Sequence, residues 1–197
     1  MTIGISGFAG SGKTEAARYL EQRYGYERQH IAEPLRRMLR SLLRDFGMPN
    51  AEIDRYLTGD LKEAVIPCLG ITSRKAQITL GTEWGRKQVS QDLWARLWDR
   101  QAAEKSMNES VRFPNEEDAI RVNCGFTIML IRPGTRPAAF RWGWLGRVLY
   151  RCGLMWGVHD SERTDRLRPN YVIANDGTID DIHRKIDAVM RRRGISA

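Results

Sequence analysis

The chain has few cysteines, and they are poorly placed for disulfide bonds. Its 197 residues include three, Cys68, Cys124 and Cys152, and no two of them form a Cys-x-x-Cys pair. An odd and widely spaced set argues against a disulfide framework and is typical of a reducing compartment. We therefore expect a cytoplasmic protein.

Long apolar runs are also lacking. No uncharged stretch reaches the roughly 18 apolar residues that a membrane-spanning helix needs. The most apolar stretch, residues 142–158, is interrupted by Arg147 and Arg151. The first residues lack the basic segment and the apolar run of a secretion signal. We expect no membrane partner for this chain.

The composition is that of an ordinary globular protein with a basic charge balance. Apolar residues make up 42% and charged residues 28%, which excludes a collagen-like, mucin-like or wholly disordered chain. Lys and Arg outnumber Asp and Glu by 32 to 24, a net charge of +8, and 26 of the 32 are Arg. This balance favours acidic partners such as phosphates, nucleotides or nucleic acid, although a GC-rich genome produces the same excess of Arg.

Strand and helix patterns alternate along the chain. Short apolar runs predict strands at residues 2–6, 29–32, 126–131 and 171–174. Apolar residues three and four apart predict helices at residues 12–24, 34–46, 50–57 and 73–104, the last broken near residues 81–85. Thr178 is placed to cap a final helix. This alternation is typical of an α/β fold with a mainly parallel central sheet.

One motif carries chemistry. A complete Gly-x4-Gly-Lys-Thr P-loop lies between a predicted strand and a predicted helix, the context that it requires: Gly7-Phe8-Ala9-Gly10-Ser11-Gly12-Lys13-Thr14. Its glycines let backbone N–H groups converge on phosphate oxygens, and the helix N-terminus adds partial positive charge. Lys13 is the candidate for the β- and γ-phosphates and Thr14 for Mg²⁺. With them, Ala9, Gly10, Ser11 and Gly12 form the predicted ATP site.

Several further segments resemble one family, the phage-type deoxynucleoside monophosphate kinases within the nucleoside monophosphate kinase-like P-loop fold. Besides the P-loop, the resemblance lies in Ala32–Arg36, Leu80–Arg86, Val111–Glu116, Arg132–Gly134, His159–Glu162 and Asn175–Gly177. The order of these segments matches the family from end to end. The Gly-Thr-Glu-Trp-Gly-Arg and Val-Arg-Phe-Pro-Asn-Glu sequences are the most specific of them.

The resemblance implies a fold, a domain organisation and a reaction. The fold would be a P-loop NTPase three-layer sandwich with a mainly parallel central sheet and a lid region. Residues 1–197 would form a single kinase domain, with an acceptor-binding helical region at about 34–104 and a lid at about 134–166. The enzyme would use ATP and Mg²⁺ to phosphorylate a deoxynucleoside monophosphate, in nucleotide biosynthesis in the host cytoplasm of a phage. A second copy of the chain is a candidate partner, and a stable nucleic-acid partner is not expected.

The resemblance also assigns roles to individual residues. Lys13, Arg86 and Arg112 would be catalytic, and the two guanidinium groups suit the charge of an acceptor phosphate. The acceptor-binding candidates are Glu33, Arg36, Thr82, Trp84, Arg86, Arg112, Glu116, His159 and Glu162. Four of them have an ordinary structural alternative: a helix-start carboxylate for Glu33, a core position for Trp84, a helix cap for Glu116 and a polar loop residue for His159.

The predicted lid is rich in arginine, as expected of a segment that closes over a transferring phosphoryl group. Its arginines are Arg136, Arg141, Arg147, Arg151, Arg163 and Arg166. Within it, Trp142, Leu145, Leu149 and Cys152 recur at helical spacing. This spacing indicates an amphipathic helix that docks on the body or on a second subunit, with a membrane-surface helix as the less favoured alternative.

The chain departs from the family pattern just before Val111. The family has an apolar strand ending in Asp there, whereas residues 104–110 are polar and Ser110 stands at the Asp position. We expect this segment to be too polar for a central buried strand. Two alternatives are then open for Mg²⁺: either the Glu109 carboxylate holds it in place of the Asp, or it is held through Thr14 and water.

Other functions stay open from the sequence alone. A kinase of the same fold could act on another phosphorylated acceptor, such as dephospho-coenzyme A or phosphomevalonate. A nucleotide-dependent nucleic-acid-binding protein would also have a P-loop and a basic charge, but no helix-turn-helix, zinc or stacked-aromatic motif is found. A regulatory GTPase is disfavoured because no Asn-Lys-x-Asp segment is present.

Overall fold

The computed structural model describes residues 1–135, 148 and 164–197. The chain forms two compact units, which we call the sheet unit (residues 1–30 and 102–197) and the helical unit (residues 31–101). In chain order the elements are β1 (Ile3–Ser6), α1 (Lys13–Tyr24), β2 (Glu27–Arg28), α2 (Glu33–Asp45), α3 (Asn50–Leu57), β3 (Val65–Ile66), β4 (Ile71–Thr72), α4 (Ser73–Ile78), a π-helix (Thr79–Val89), α5 (Leu93–Gln101), β5 (Ser106–Asn108), α6 (Pro114–Val122), β6 (Phe126–Ile131), a 3-10 helix (Thr164–Arg166), β7 (Tyr171–Ala174) and α7 (Ile179–Arg192).

The sheet unit is built on a five-stranded sheet in the order β2-β5-β1-β6-β7. Every neighbouring pair in this sheet is parallel, and Ile3 of β1 pairs with Met107 on one side and Phe126 on the other. Strand β1 is therefore the middle strand. The predicted parallel α/β sheet is confirmed.

Helices cover both faces of this sheet. Ile3 and Ile5 belong to one buried cluster with Leu20 of α1 and Ile186 of α7. Gly4 points the other way, since a Cβ placed on it would lie 2.5 Å from Cδ1 of Ile120 in α6. The unit thus has three layers, as predicted for the P-loop fold.

The strand predictions were wrong at one edge of the sheet. Strand β2 covers Glu27 and Arg28 rather than residues 29–32, because the Glu27 and Gln29 N–H groups donate to the carbonyls of Lys105 and Met107. Met107 belongs to β5, which lies between β2 and β1 in the sheet.

The polar segment before Val111 was also mispredicted. Ser106, Met107 and Asn108 form the interior strand β5, and all three are 0% exposed. Of the three, Met107 joins the apolar cluster under α1, while Ser106 and Asn108 alternate to the other face. The backbone of this strand is paired on both sides, and Oδ1 of Asn108 accepts from the Ser110 N–H at 3.2 Å, whereas Oγ of Ser106 and Nδ2 of Asn108 are buried with no hydrogen-bond partner among the described residues.

The helical unit contains α2 to α5, the π-helix and the antiparallel β3–β4 pair. Its buried apolar residues include Leu39 and Leu43 of α2 and Ile53 and Leu57 of α3. The predicted helix break lies at residues 90–92, after the π-helix, and not near residues 81–85. The π-helix runs through both of its glycines, Gly81 and Gly85.

The remaining expectations concern the cysteines, the membrane and the lid. Cys68 and Cys124 are exposed free thiols. Among the described residues, no helix is both long enough and apolar enough to cross a membrane. Most of the predicted lid, with its apolar stretch, Cys152 and all of its arginines except Arg166, lies outside the described residues.

Candidate active site

The P-loop joins β1 to α1 at the carboxyl end of the middle strand. Gly7, Gly10 and Gly12 have φ angles of 140°, 77° and 98°, a region that residues with a Cβ rarely adopt. A Cβ on Gly7 would also lie 2.5 Å from the carbonyl oxygen of Leu130 in β6. The glycines are needed both for the turn and for its close approach to the sheet. The Ser11 N–H closes the turn by donating to the Phe8 carbonyl at 3.1 Å.

Lys13 is held inside this loop. Its Nζ donates to the carbonyl oxygens of Gly7 and Phe8, at 2.9 and 2.8 Å. Burial lowers the pKa of Lys13, and the positive charge of Arg112 lowers it further, while the negative charge of Glu109 opposes both effects. The charges of Glu109 and Arg112, which both lie between β5 and α6, therefore act on Lys13 of the P-loop.

Glu109 immediately follows β5, whose carboxyl end lies beside that of β1 because the strands are parallel neighbours. Its Oε1 lies 3.6 Å from Nη1 of Arg28, and Nη2 of Arg28 lies 2.6 Å from the carboxylate of Glu21. Its Oε2 is buried and has no hydrogen-bond partner in the described part of the chain. This oxygen is thus available to a cation or a donor that approaches the P-loop.

Arg112 is exposed, and it lies on the turn between β5 and α6. The Val111 N–H donates to the Ile5 carbonyl at 3.0 Å, which extends the strand pairing toward this turn. Oε2 of Glu116 then accepts from the N–H groups of Arg112 and Phe113, at 2.8 and 3.4 Å. Glu116 is 2% exposed, so the structure shows it as the cap of α6 that also fixes the backbone of Arg112.

The P-loop has one further contact that the sequence patterns did not assign. Nδ2 of Asn175, just after β7, donates to the Ser11 carbonyl at 3.0 Å. The available signal was its place after the last strand, because loops at the carboxyl ends of parallel strands meet at one edge of the sheet. Arg28 was missed too, since β2 was predicted two residues late.

Two acceptor candidates open helix α2 in the helical unit. Glu33 is the first residue of α2, and its Oε2 accepts from Nη1 of Arg36 at 3.4 Å. The Arg36 side chain is 13% exposed, and its Nε is buried with no hydrogen-bond partner among the described residues. Glu33 therefore does occupy the helix-start position of its structural alternative.

Thr82, Trp84 and Arg86 all lie on the π-helix. Thr82 is buried, and Nη1 of Arg86 donates to the Gln91 carbonyl at 3.0 Å. Trp84 is 38% exposed, so its alternative of a core position is wrong. π-Helical segments in proteins frequently occur at functional sites.

The core tryptophan of this segment is Trp94, which sequence patterning did not single out. Its Nε1 donates to the Gly81 carbonyl at 2.7 Å, and a Cβ on Gly85 would lie 2.6 Å from its ring. Gly85 is thus explained by the packing of the indole ring, and the Gly81 carbonyl accepts from the indole N–H, so that neither glycine marks a helix break.

Two predicted site residues, His159 and Glu162, lie outside the described residues. Ala9, Gly10 and Thr14 are exposed on the P-loop and the first turn of α1. The sheet unit thus brings the P-loop, Arg112 and Glu116 together, while Glu33, Arg36, Thr82, Trp84 and Arg86 belong to the helical unit.

Comparison with known proteins assigns the family. A protein of Acanthamoeba polyphaga mimivirus named "Putative deoxynucleotide monophosphate kinase" is 32% identical over 148 residues, 67% of this chain and 74% of that protein. The chain belongs to the deoxynucleotide monophosphate kinase family. No protein-family model matches it. The solved structure of shikimate kinase from Aquifex aeolicus aligns with a TM-score of 0.47 and 10% identity over 100% of both chains, a likeness that adds nothing to the assignment.

Family membership and the P-loop agree. As a member of the deoxynucleotide monophosphate kinase family, the chain is a P-loop nucleotide kinase, that is, a phosphotransferase. The resemblance stated from the sequence segments is confirmed.

Proposed function

We propose that the protein transfers the γ-phosphoryl group of ATP to a deoxynucleoside 5′-monophosphate. An oxygen of the acceptor phosphate forms a bond to the γ-phosphorus, the bond from that phosphorus to the β-phosphate oxygen breaks, and a deoxynucleoside diphosphate and ADP leave. The observation that carries the proposal is that the positive charge of Arg112, in the Val-Arg-Phe-Pro-Asn-Glu segment, acts on Lys13 of the P-loop. The mimivirus relative's name supports the same acceptor.

The donor half of the reaction needs positioning and charge more than covalent chemistry. The P-loop offers its backbone N–H groups and the N-terminus of α1 to the phosphates of ATP. Lys13 offers a cation that burial has already partly desolvated. A desolvated charge interacts more strongly with a phosphate oxygen than a hydrated one does.

The residues present also fit Mg²⁺. The hydroxyl of Thr14 and the buried Oε2 of Glu109 are oxygen donors at the P-loop edge of the sheet, and the second has no hydrogen-bond partner among the described residues. In the described residues no group of three or more His, Cys, Asp or Glu could hold a metal ion. The Thr14 hydroxyl and the Glu109 carboxylate oxygen therefore fit a Mg²⁺ ion that is bound mainly by nucleotide phosphates and held by one or two protein oxygens. When bound, Mg²⁺ would neutralise charge on the β- and γ-phosphates.

Binding of the acceptor is assigned to two arginines and to the other residues that the family resemblance implies. We assign Arg112 and Arg86 to the acceptor phosphate, because a guanidinium group can donate two parallel N–H groups to phosphate oxygens. Trp84, which is 38% exposed, offers a ring face for the base. Further contacts are assigned to Glu33, Arg36, Thr82, His159 and Glu162, and Glu116 is assigned to holding the backbone of Arg112, whose N–H it accepts.

The proposal is tested by ADP production from MgATP with each of the four deoxynucleoside monophosphates added in turn. We expect a rate that appears with one or a few of them and is absent without an acceptor. Dephospho-coenzyme A serves as the comparison acceptor. A rate with dephospho-coenzyme A alone, or equal slow hydrolysis under every condition, would contradict the proposed acceptor.

A further inference from the structure

The loop between β7 and α7 is held unusually firmly. The Asn175 N–H continues the sheet by donating to the Ile131 carbonyl at 2.7 Å. Nζ of Lys185 donates to Asp176 at 2.7 Å and to the carbonyl of Ala174 at 2.6 Å. The loop is therefore tied to both the sheet and α7.

The end of this loop is fixed as well. Thr178 and Asp181 form a reciprocal capping box at the start of α7. A Cβ on Gly177 would lie 2.3 Å from Oδ2 of Asp181, so the turn has no spare room. The side chain of Asn175 is thus presented from a rigid base.

From that base Asn175 contacts the P-loop at the Ser11–Gly12 peptide. Its Nδ2 donates to the Ser11 carbonyl at 3.0 Å, and a Cβ on Gly12 would lie 2.5 Å from the same nitrogen. Gly12, at φ 98°, is the residue type that allows the Ser11–Gly12 peptide to rotate. The contact is possible because Gly12 has no side chain.

The orientation of this peptide decides where its N–H points. A trans peptide is planar and holds its C=O and N–H in opposite directions. When the Ser11 carbonyl is fixed on Asn175, the Gly12 N–H is directed away from Asn175. P-loops bind phosphate through backbone N–H groups of this kind.

We propose that Asn175 is a positioning residue that holds the Ser11–Gly12 peptide in the orientation required for phosphate binding. It acts through the P-loop backbone and takes no part in the transfer itself. The inference rests on the proposed function only in so far as the P-loop must bind a polyphosphate.

The test measures equilibrium binding of MgATP and of inorganic tripolyphosphate, a probe that has no base or sugar. We expect Asn175→Ala to weaken the binding of both ligands by about tenfold. A change of this size is typical for the loss of one hydrogen bond. Asn175→Asp should weaken both further, because a carboxylate would face the Ser11 carbonyl and add a negative charge near the phosphates. The KM for the acceptor should stay within about twofold, since the Asn175 side chain donates to the loop that binds the donor.

Two control variants separate positioning from loop stability. Asp176→Ala removes the Lys185 contact from the same loop and leaves Asn175 in place. Asn170→Asp is the same isosteric change at an amide whose Oδ1 accepts from the Thr127 N–H at 2.9 Å, and a carboxylate keeps that acceptor. Both should bind tripolyphosphate as the unaltered chain does, at a temperature well below each variant's melting point.

The outcomes are distinct. Unchanged tripolyphosphate affinity in Asn175→Ala, or an equal loss in Asp176→Ala, would overturn the positioning role and leave the kinase proposal intact. No binding of MgATP or tripolyphosphate by the unaltered chain would overturn both. If Asn175→Ala does not fold, Asn175→Leu decides by the same measurements, because it keeps the branched shape of the side chain and removes the donor without adding a charge.

Discussion

Two adjacent buried carboxylates on α6 allow a matched test of how Arg112 is positioned. Glu116 and Glu117 are 2% and 1% exposed. Glu116 accepts two N–H groups, those of Arg112 and Phe113, at 2.8 and 3.4 Å. Glu117 also accepts two hydrogen bonds, from the Arg168 N–H at 2.7 Å and the Thr127 hydroxyl at 3.3 Å, and its Oε2 lies 3.6 Å from Nη2 of Arg121. The partners of Glu117 are far along the chain from the P-loop segment.

The two alanine variants should lose similar stability. A hydrogen bond to a charged group contributes about 1.5–3 kcal/mol, and one of the two bonds of each carboxylate is long. We therefore expect a loss of about 3 kcal/mol from the free energy of unfolding in each variant. In a chain of this size that corresponds to a fall in Tm of about 6–12 °C, measured by thermal denaturation.

Their kinetics should differ. Glu116→Ala frees the backbone that carries Arg112, and we expect kcat/KM for the acceptor to fall about tenfold, a loss of about 1.4 kcal/mol. Glu117→Ala should leave that ratio within about twofold when both are assayed well below their Tm. Glu116→Gln keeps an acceptor oxygen for the Arg112 N–H and should restore most of the activity. Equal losses of kcat/KM in the two alanine variants would refute the positioning argument.

Three further variants test the assignments. Lys13→Ala should abolish transfer while Tm stays within a few degrees, because Lys13 serves phosphate charge and is desolvated at a cost; full activity would contradict the P-loop assignment. Arg112→Ala should raise the acceptor KM or lower kcat about tenfold or more, with the Kd for ATP unchanged by calorimetry; an unchanged acceptor profile would remove it from the site. Gly85→Ala should cost about 1–3 kcal/mol of stability in denaturant, because its Cβ would lie 2.6 Å from the ring of Trp94. Gly81→Ala, whose Cβ would lie 3.3 Å from a single Leu35 methyl, is the matched control and should cost less.

Sequence patterns predicted well where the signal is local. The P-loop, β1 and α1 could be predicted from consecutive residues, because the tight turn requires glycines and phosphate binding requires the Lys and Thr that follow them. Strand β6 and helix α7 follow from an uninterrupted apolar run and from the capping residue Thr178. In each case neighbouring residues carry all the information that the element needs.

The errors occurred where a distant partner decides the structure. Residues 106–108 are polar by composition, yet they form a buried strand because β1 and β2 supply backbone partners on both sides. Gly81 and Gly85 suggest a helix break in sequence, yet the helix runs through them, because the Trp94 ring packs against Gly85 and its Nε1 donates to the Gly81 carbonyl. Trp84, by contrast, is exposed.

The sequence alone predicts a nucleoside triphosphate site in a parallel α/β fold, because a P-loop and its flanking strand and helix are encoded within about twenty consecutive residues. The tertiary structure alone decided which groups surround the P-loop. The charges of Glu109 and Arg112, which follow the neighbouring strand β5, act on Lys13, and Asn175 donates to the Ser11 carbonyl across 164 positions of the chain. Such contacts depend on the order of strands in the sheet, which brings the ends of distant segments to one edge and which no local pattern of residues specifies.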